Sequence, residues 1–222
     1  MSGAGSVTTP DCAEYSAACK RCARLARRLA RIRDEFPHYH ARPVAPFGDP
    51  AARLLIVGLA PGMHGANRTG RPFTGDHAGI LLYETLHRFG FASQPHAHAA
   101  DDGLRLTGCR ITNAVKCWPP QNKPLPEEVR RCNVYLRQEL RMLPRGAAIL
   151  ALGGIAHQAV LAAEMLPRAA HPFIHGARYA LPSGRLLFDS YHCSRYNTQT
   201  GRLTAAMFRK IFGAISKQLR AG

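Results

Sequence analysis

RLLIVGLAPGMHGANRTGRPFTGD, residues 53–76, decides how the rest of this chain is read. Arg53 to Leu59 form a short apolar run holding one glycine, the pattern of a strand buried on both faces. Three glycines, Gly58, Gly62 and Gly65, follow within eight residues, and the stretch closes on Phe73, Gly75 and Asp76. A strand that runs directly into a glycine-rich turn places that turn at its carboxyl end. In open α/β sheets this is where ligands sit.

Working outward, runs of the same kind recur at 108–115 (GCRITNAV), 147–153 (AAILALG) and 185–192 (RLLFDSYH). Helical periodicity fills the gaps at about 77–90, 126–143 and 154–165, with a last helix at about 204–220. Strands alternating with helices predict an α/β domain with a mainly parallel sheet. Asn113 and His192 then also fall at strand ends, beside the glycine-rich turn. Upstream, Ala17 to about Phe36 reads as a basic helix, with Leu25, Leu29 and Ile32 on one stripe and Arg21, Arg24, Arg28 and Arg31 on the other. A Pro-rich connector (Pro37, Pro43, Pro46, Pro50) follows. Residues 1–10 are expected to be disordered, and 11–222 to form a single domain.

Composition narrows the partners. Thirty Lys and Arg stand against 14 Asp and Glu, a formal net charge of +16, which favours an anionic partner and, above all, nucleic acid. No apolar run approaches the roughly 18 residues of a membrane helix. The first residues lack the basic-then-apolar layout of a secretory signal, so a cytoplasmic protein is expected. The histidine-bearing segments HYH (38–40) and HAHAADD (96–102) read as solvated loops.

Seven cysteines in a cytosolic protein do not read as a disulfide framework. Cys19 and Cys22 form CKRC, and Cys117 and Cys132 bracket a Pro-rich segment and the start of the next helix. Four thiolates suit tetrahedral zinc or a [4Fe–4S] cluster, and the spacing does not separate the two. Cys12, Cys109 and Cys193 stand apart.

The glycine-rich stretch carries neither GxGxxG nor GxxxxGK[ST], and it holds no lysine, which counts against a nucleotide triphosphatase. No GxSxG occurs, which counts against a serine hydrolase. What remains is a pocket with backbone N–H groups from Ala60 to Gly62, a ring (Phe73), a carboxylate (Asp76), an amide (Asn113) and an imidazole (His192). An amide reads the donor–acceptor edge of a nucleobase, and a ring stacks on its face. With the charge, this composition fits an extruded base.

The segments GLAPGMHGANRTGRPFTGD, ITNAVKCWPPQNKPLPEEVRRC and YHCSRYNTQTGRLT, with CKRCARLARR near the start, resemble the uracil-DNA glycosylase superfamily, and within it the iron–sulfur family 5, or type B. The resemblance implies a three-layer α/β/α sandwich on a four-stranded parallel sheet. It also implies a [4Fe–4S] cluster on Cys19, Cys22, Cys117 and Cys132, and monofunctional hydrolysis of the N-glycosidic bond after base flipping, by a chain acting as a monomer on damaged DNA. Most of the superfamily carries a polar residue where this chain has Ala60; that departure marks the type B branch. It implies a wider substrate range, uracil and other deaminated bases such as hypoxanthine. On this resemblance His192 contacts the departing base, Asp76 stabilises the cation or orients water, and His64 is an alternative water contact. Ala60, Gly62, Phe73 and Asn113 form the base pocket. The loop after His192 enters the minor groove, with Arg195, Tyr196, Asn197, Thr200 and Arg202 as DNA contacts. Two other classes compete with this reading: a catalytically silent iron–sulfur DNA-binding module, and a zinc-stabilised binder of single-stranded DNA.

Overall fold

The computed structural model describes residues 13–221. The segment expected to be disordered (1–10) and Cys12 lie outside the described residues.

In chain order the elements are α1 (Ala23–Glu35), β1 (Phe47–Gly48), β2 (Leu54–Gly58), α2 (Ala66–Thr69), α3 (His77–Arg88), β3 (Cys109–Asn113), α4 (Pro126–Met142), β4 (Ala148–Leu152), α5 (Gly154–Ala163), β5 (Arg178–Ala180), β6 (Leu186–Ser190), α6 (Arg195–Gln199) and α7 (Ala205–Ala221). They build one sheet in the order β1-β3-β2-β4-β6-β5. The four central strands, β3, β2, β4 and β6, are parallel. The sheet as a whole is mixed, because β1 and β5 add antiparallel edges of two and three residues. Strands this short leave no periodicity to read.

Alternation along each strand divides the core into two layers. Leu54, Ile56, Ile111, Leu150 and Phe188 pack against α3 (Leu82, Leu86) and α7 (Phe208, Phe212). Leu55, Val57, Ile149, Ala151 and Leu187 face α4 (Leu136, Leu140) and α5 (Val160, Leu161). Every residue of β2 and β4 is buried, as a strand covered on both faces requires. The result is a three-layer α/β/α sandwich. None of the described helices is long and apolar enough to cross a membrane.

Helix α1 buries Leu25, Leu29 and Ile32 against Val115, Cys117 and Trp118. It begins at Ala23, not near Ala17: Cys22 is its N-cap, with extended backbone (φ −113°, ψ 94°), and Cys19 lies in the preceding turn. Placing both cysteines ahead of the helix lets them reach a common cavity with Cys117 and Cys132.

Candidate active site

Three parallel strands deliver the site. The carboxyl end of β2 supplies Gly58 and the turn beyond it, β3 ends on Asn113, and the chain leaving β6 carries His192. The glycines make room for side chains here. A Cβ on Gly58 would stand 2.4 Å from Asn113 Oδ1 and 2.7 Å from the Phe73 ring. One on Gly65 would stand 2.5 Å from Asp76 Oδ2, and one on Gly79 would stand 2.0 Å from the Phe73 carbonyl. These are overlaps that the Asn113, Phe73 or Asp76 side chains, or the Phe73 backbone, would have to move to relieve.

Phe73 takes left-handed backbone (φ 53°), a strained choice for a residue with a Cβ. Its neighbours hold it there. Tyr83 donates its hydroxyl to the Pro72 carbonyl at 2.7 Å. Buried Arg71 grips Asp102 through two bonds of 2.9 and 2.7 Å and donates to Thr74 Oγ1 at 2.8 Å. That guanidinium holds the Asp102 carboxyl well below the usual carboxylate range. The ring so placed is 6% exposed and stacks on His192, with centroids 5.8 Å apart and planes 26° apart.

Asp76 is half-buried and caps α3, its Oδ1 accepting from the Gly79 N–H at 3.1 Å. Its other oxygen lies against Gly62 and Gly65. Burial raises its pKa, while the N–H groups of Gly79 and Ala78 and the neighbouring His77 pull it back. Asn113 is 3% exposed, and its Oδ1 has no hydrogen-bond partner among the described residues. A buried amide oxygen left free is costly unless a ligand or water meets it. Burial drops the His192 pKa to about 4, so its imidazole is neutral at physiological pH.

A cavity of about 420 Å³ joins these groups: Ala60, Gly62, Phe73, Asp76, Asn113 and His192 all line it, together with Arg195. Three polar residues not singled out from sequence also line it: His77, Asn122 and Ser194. Asn122 follows Gln121 in left-handed backbone (φ 55° and 57°), and its Oδ1 accepts from the Trp118 indole N–H at 3.2 Å. The Pro-Pro-Gln-Asn run was the available signal, since prolines fix a turn and Asn tolerates this conformation. His77 Nε2 meets Thr198 Oγ1 at 3.0 Å, which ties α3 to α6.

Other expected site residues fall outside the cavity lining. His64 is exposed, and its Nδ1 pairs with the Tyr39 hydroxyl at 2.8 Å. The segment expected as a loop after His192 is partly helical, as α6. Tyr196 is 70% exposed on it. Asn197 turns inward instead, donating its amide to the His192 carbonyl at 2.8 Å. Thr200 Oγ1 bonds back to the Tyr196 carbonyl, and Arg202 lies 4.6 Å over the Tyr191 ring. The first turn of α7 is already capped by Thr204, which accepts from the Met207 N–H at 3.2 Å.

The second constellation lies beneath α1. Cys19, Cys22, Cys117 and Cys132 line one cavity with Val115, Lys116 and Tyr135. Burial pushes the Cys132 thiol up to about 11 and Cys117 higher still, the neighbouring thiols adding to the rise at both. Four thiolates would repel one another there unless a cation shared the space. Among the described residues no three His, Cys, Asp or Glu side chains are grouped to hold a single metal ion.

A family model of the uracil DNA glycosylase superfamily matches residues 45–216, which span the whole sheet and every residue lining the cavity. The chain belongs to the uracil-DNA glycosylase superfamily. A type-5 uracil-DNA glycosylase of Thermus thermophilus is 53% identical over 201 residues, covering 87% of this chain and 90% of the relative. One from Pyrobaculum aerophilum is 41% identical over 197 residues (87% and 85%), and one from Mycobacterium leprae 43% over 218 residues (95% and 94%). These similarities place the chain in the family-5, or type B, branch.

Proposed function

We propose that this protein removes uracil from DNA by hydrolysing the N-glycosidic bond of an extruded nucleotide. The observation that carries the reading is the cavity itself. It sets a buried amide with a free oxygen, a stacked ring, a neutral imidazole and a carboxylate within one site of a uracil-DNA glycosylase fold. The target bond is unreachable inside the base stack, so the nucleotide must leave the duplex first.

The chemistry divides among the residues as follows. The C1′–N bond breaks with both electrons going to the base, leaving an anionic base and an oxocarbenium sugar. The neutral His192 N–H donates to the base carbonyl oxygen on which charge develops. Asp76, through the oxygen turned toward Gly62 and Gly65, faces the cation and orients the water that adds to C1′; the proton this water loses passes to the carboxylate, and the departing base anion takes up one proton as it leaves. Asn113 meets the base edge and Phe73 its face. Asn122 offers its amide N–H at the pocket edge, because its oxygen is engaged by Trp118. Arg195 is suited to a flanking phosphate, with Tyr196 and Arg202 as outer DNA contacts. Ala60 leaves the pocket wall open beside Gly62, which supports acceptance of hypoxanthine and other deaminated bases. The reading is completed by a monomer acting on DNA in the cytoplasm.

We read the second constellation as a [4Fe–4S] site ahead of zinc: the four cysteines line one cavity, as a shared group requires. Such a group supplies a cross-link between the start of α1 and the 117–132 segment. Cys132→Ser should therefore bleach the visible absorbance of anaerobically purified protein and lower its melting temperature, whereas zinc would give a colourless protein from the outset.

Two further results are expected. Gly65→Ala should slow single-turnover uracil excision by roughly tenfold with little loss of duplex binding, because the new Cβ displaces the Asp76 carboxylate. His192 should contribute no titration to activity between pH 5 and 8. Its folded pKa of about 4 lies below the unfolded value of about 6.5, so the unfolded chain binds the proton first. Stability from this group is therefore complete above about pH 6.5 and falls as pH drops toward 4, which denaturant midpoints across that range would show.

A further inference from the structure

Behind the pocket, between β3 and α4, lies a buried ion pair with no part in the chemistry described above. Lys116 is 1% exposed, and its ammonium sits 2.6 Å from Glu139 Oε1. The same ammonium donates to the Thr112 hydroxyl and, at 3.0 Å, to the backbone carbonyl of Asn113. Three acceptors thus meet its three protons. Thr112 donates in turn to Glu139 at 3.0 Å, which closes the set. The backbone of Lys116 is held as well: its N–H meets Cys132 Sγ at 3.2 Å, and its carbonyl accepts from the Val44 N–H at 2.7 Å.

A buried ion pair is weak evidence for stability, since well-packed apolar residues often serve as well. Its position gives it a different use. Asn113 is the last residue of β3, paired with Gly58 at the end of the β2 register. Its side-chain oxygen has no partner among the described residues, so its aim into the pocket depends on how its backbone is held.

We propose that Lys116 is a positioning residue for Asn113. Its ammonium, set by Glu139 and Thr112, clamps the Asn113 carbonyl and thereby fixes the direction of the amide toward the base. The proposal rests on the reading above that Asn113 meets the base edge.

A double-mutant cycle tests it. Lys116→Met with Glu139→Leu removes both charges together and leaves neither one buried alone. In single-turnover excision from a uracil-containing duplex, this variant should be about tenfold slower, with a melting temperature near that of the wild type. Adding Asn113→Ala should then cost no more than about threefold, although Asn113→Ala alone costs tenfold or more. If Asn113→Ala costs the same factor in both backgrounds, the positioning role is overturned. Should the charge-free variant not fold, Thr112→Val, an isosteric loss of one acceptor, enters the same cycle, with coupling expected and multiplicative losses overturning the proposal. A wild-type protein that released no uracil would overturn the functional reading as well, whereas multiplicative losses in an active enzyme overturn only the positioning.

Discussion

Asp76→Asn should slow uracil excision by about a hundredfold or more under single-turnover conditions while leaving the melting temperature nearly unchanged. The reasoning separates two jobs held by one side chain. Asp76 Oδ1 caps α3 at Gly79, and asparagine caps a helix about as well as aspartate. The second oxygen lies against the glycines of the β2 turn and carries the charge that the cationic sugar needs. Asparagine keeps the cap and loses the charge. Asp76→Ala loses both, and should add about 1 kcal/mol of destabilisation to the same loss of rate. Rates near wild type for Asp76→Asn would reduce Asp76 to a helix cap.

His192→Phe should lower the chemical step by about a hundredfold to a thousandfold, with much smaller loss of duplex binding. Phenylalanine preserves the stack on Phe73, so packing of the pocket changes little. What disappears is the N–H aimed at the leaving base. Because the imidazole is neutral down to about pH 4, the loss should be the same at pH 6 and pH 8. A loss confined to acid pH would indicate that the imidazolium, not the imidazole, does the work.

The parallel core was legible because β2 and β4 are buried on both faces and read as uninterrupted apolar runs. The edge strands were not, since two or three residues carry no period. The CKRC segment reads as helix by its arginines and small residues, yet the cysteines leave the helical path to reach a cavity whose other wall is about a hundred residues away in sequence. His64 follows Gly62 closely in sequence, but the turn carries it outward to Tyr39. The glycines of residues 58–76 match no phosphate-loop motif in the sequence; in the fold they clear space for Asn113, Phe73 and Asp76. The clamp that strains Phe73 depends on Arg71 meeting Asp102, a pairing of distant residues with no local signature. Asn122 reaches the cavity through a left-handed turn that a proline pair makes plausible only once the β3 end is located.

The most direct measurement is a time course of purified protein with a duplex bearing one uracil, each sample split before denaturing electrophoresis and half treated with hot alkali. A base-excising hydrolase with no lyase step leaves an intact strand with an abasic site. Strand scission at the uracil position should therefore appear in the alkali-treated half and be absent from the untreated half. No scission in either half would contradict the glycosylase reading, and equal scission in both would contradict hydrolysis by water as its mechanism.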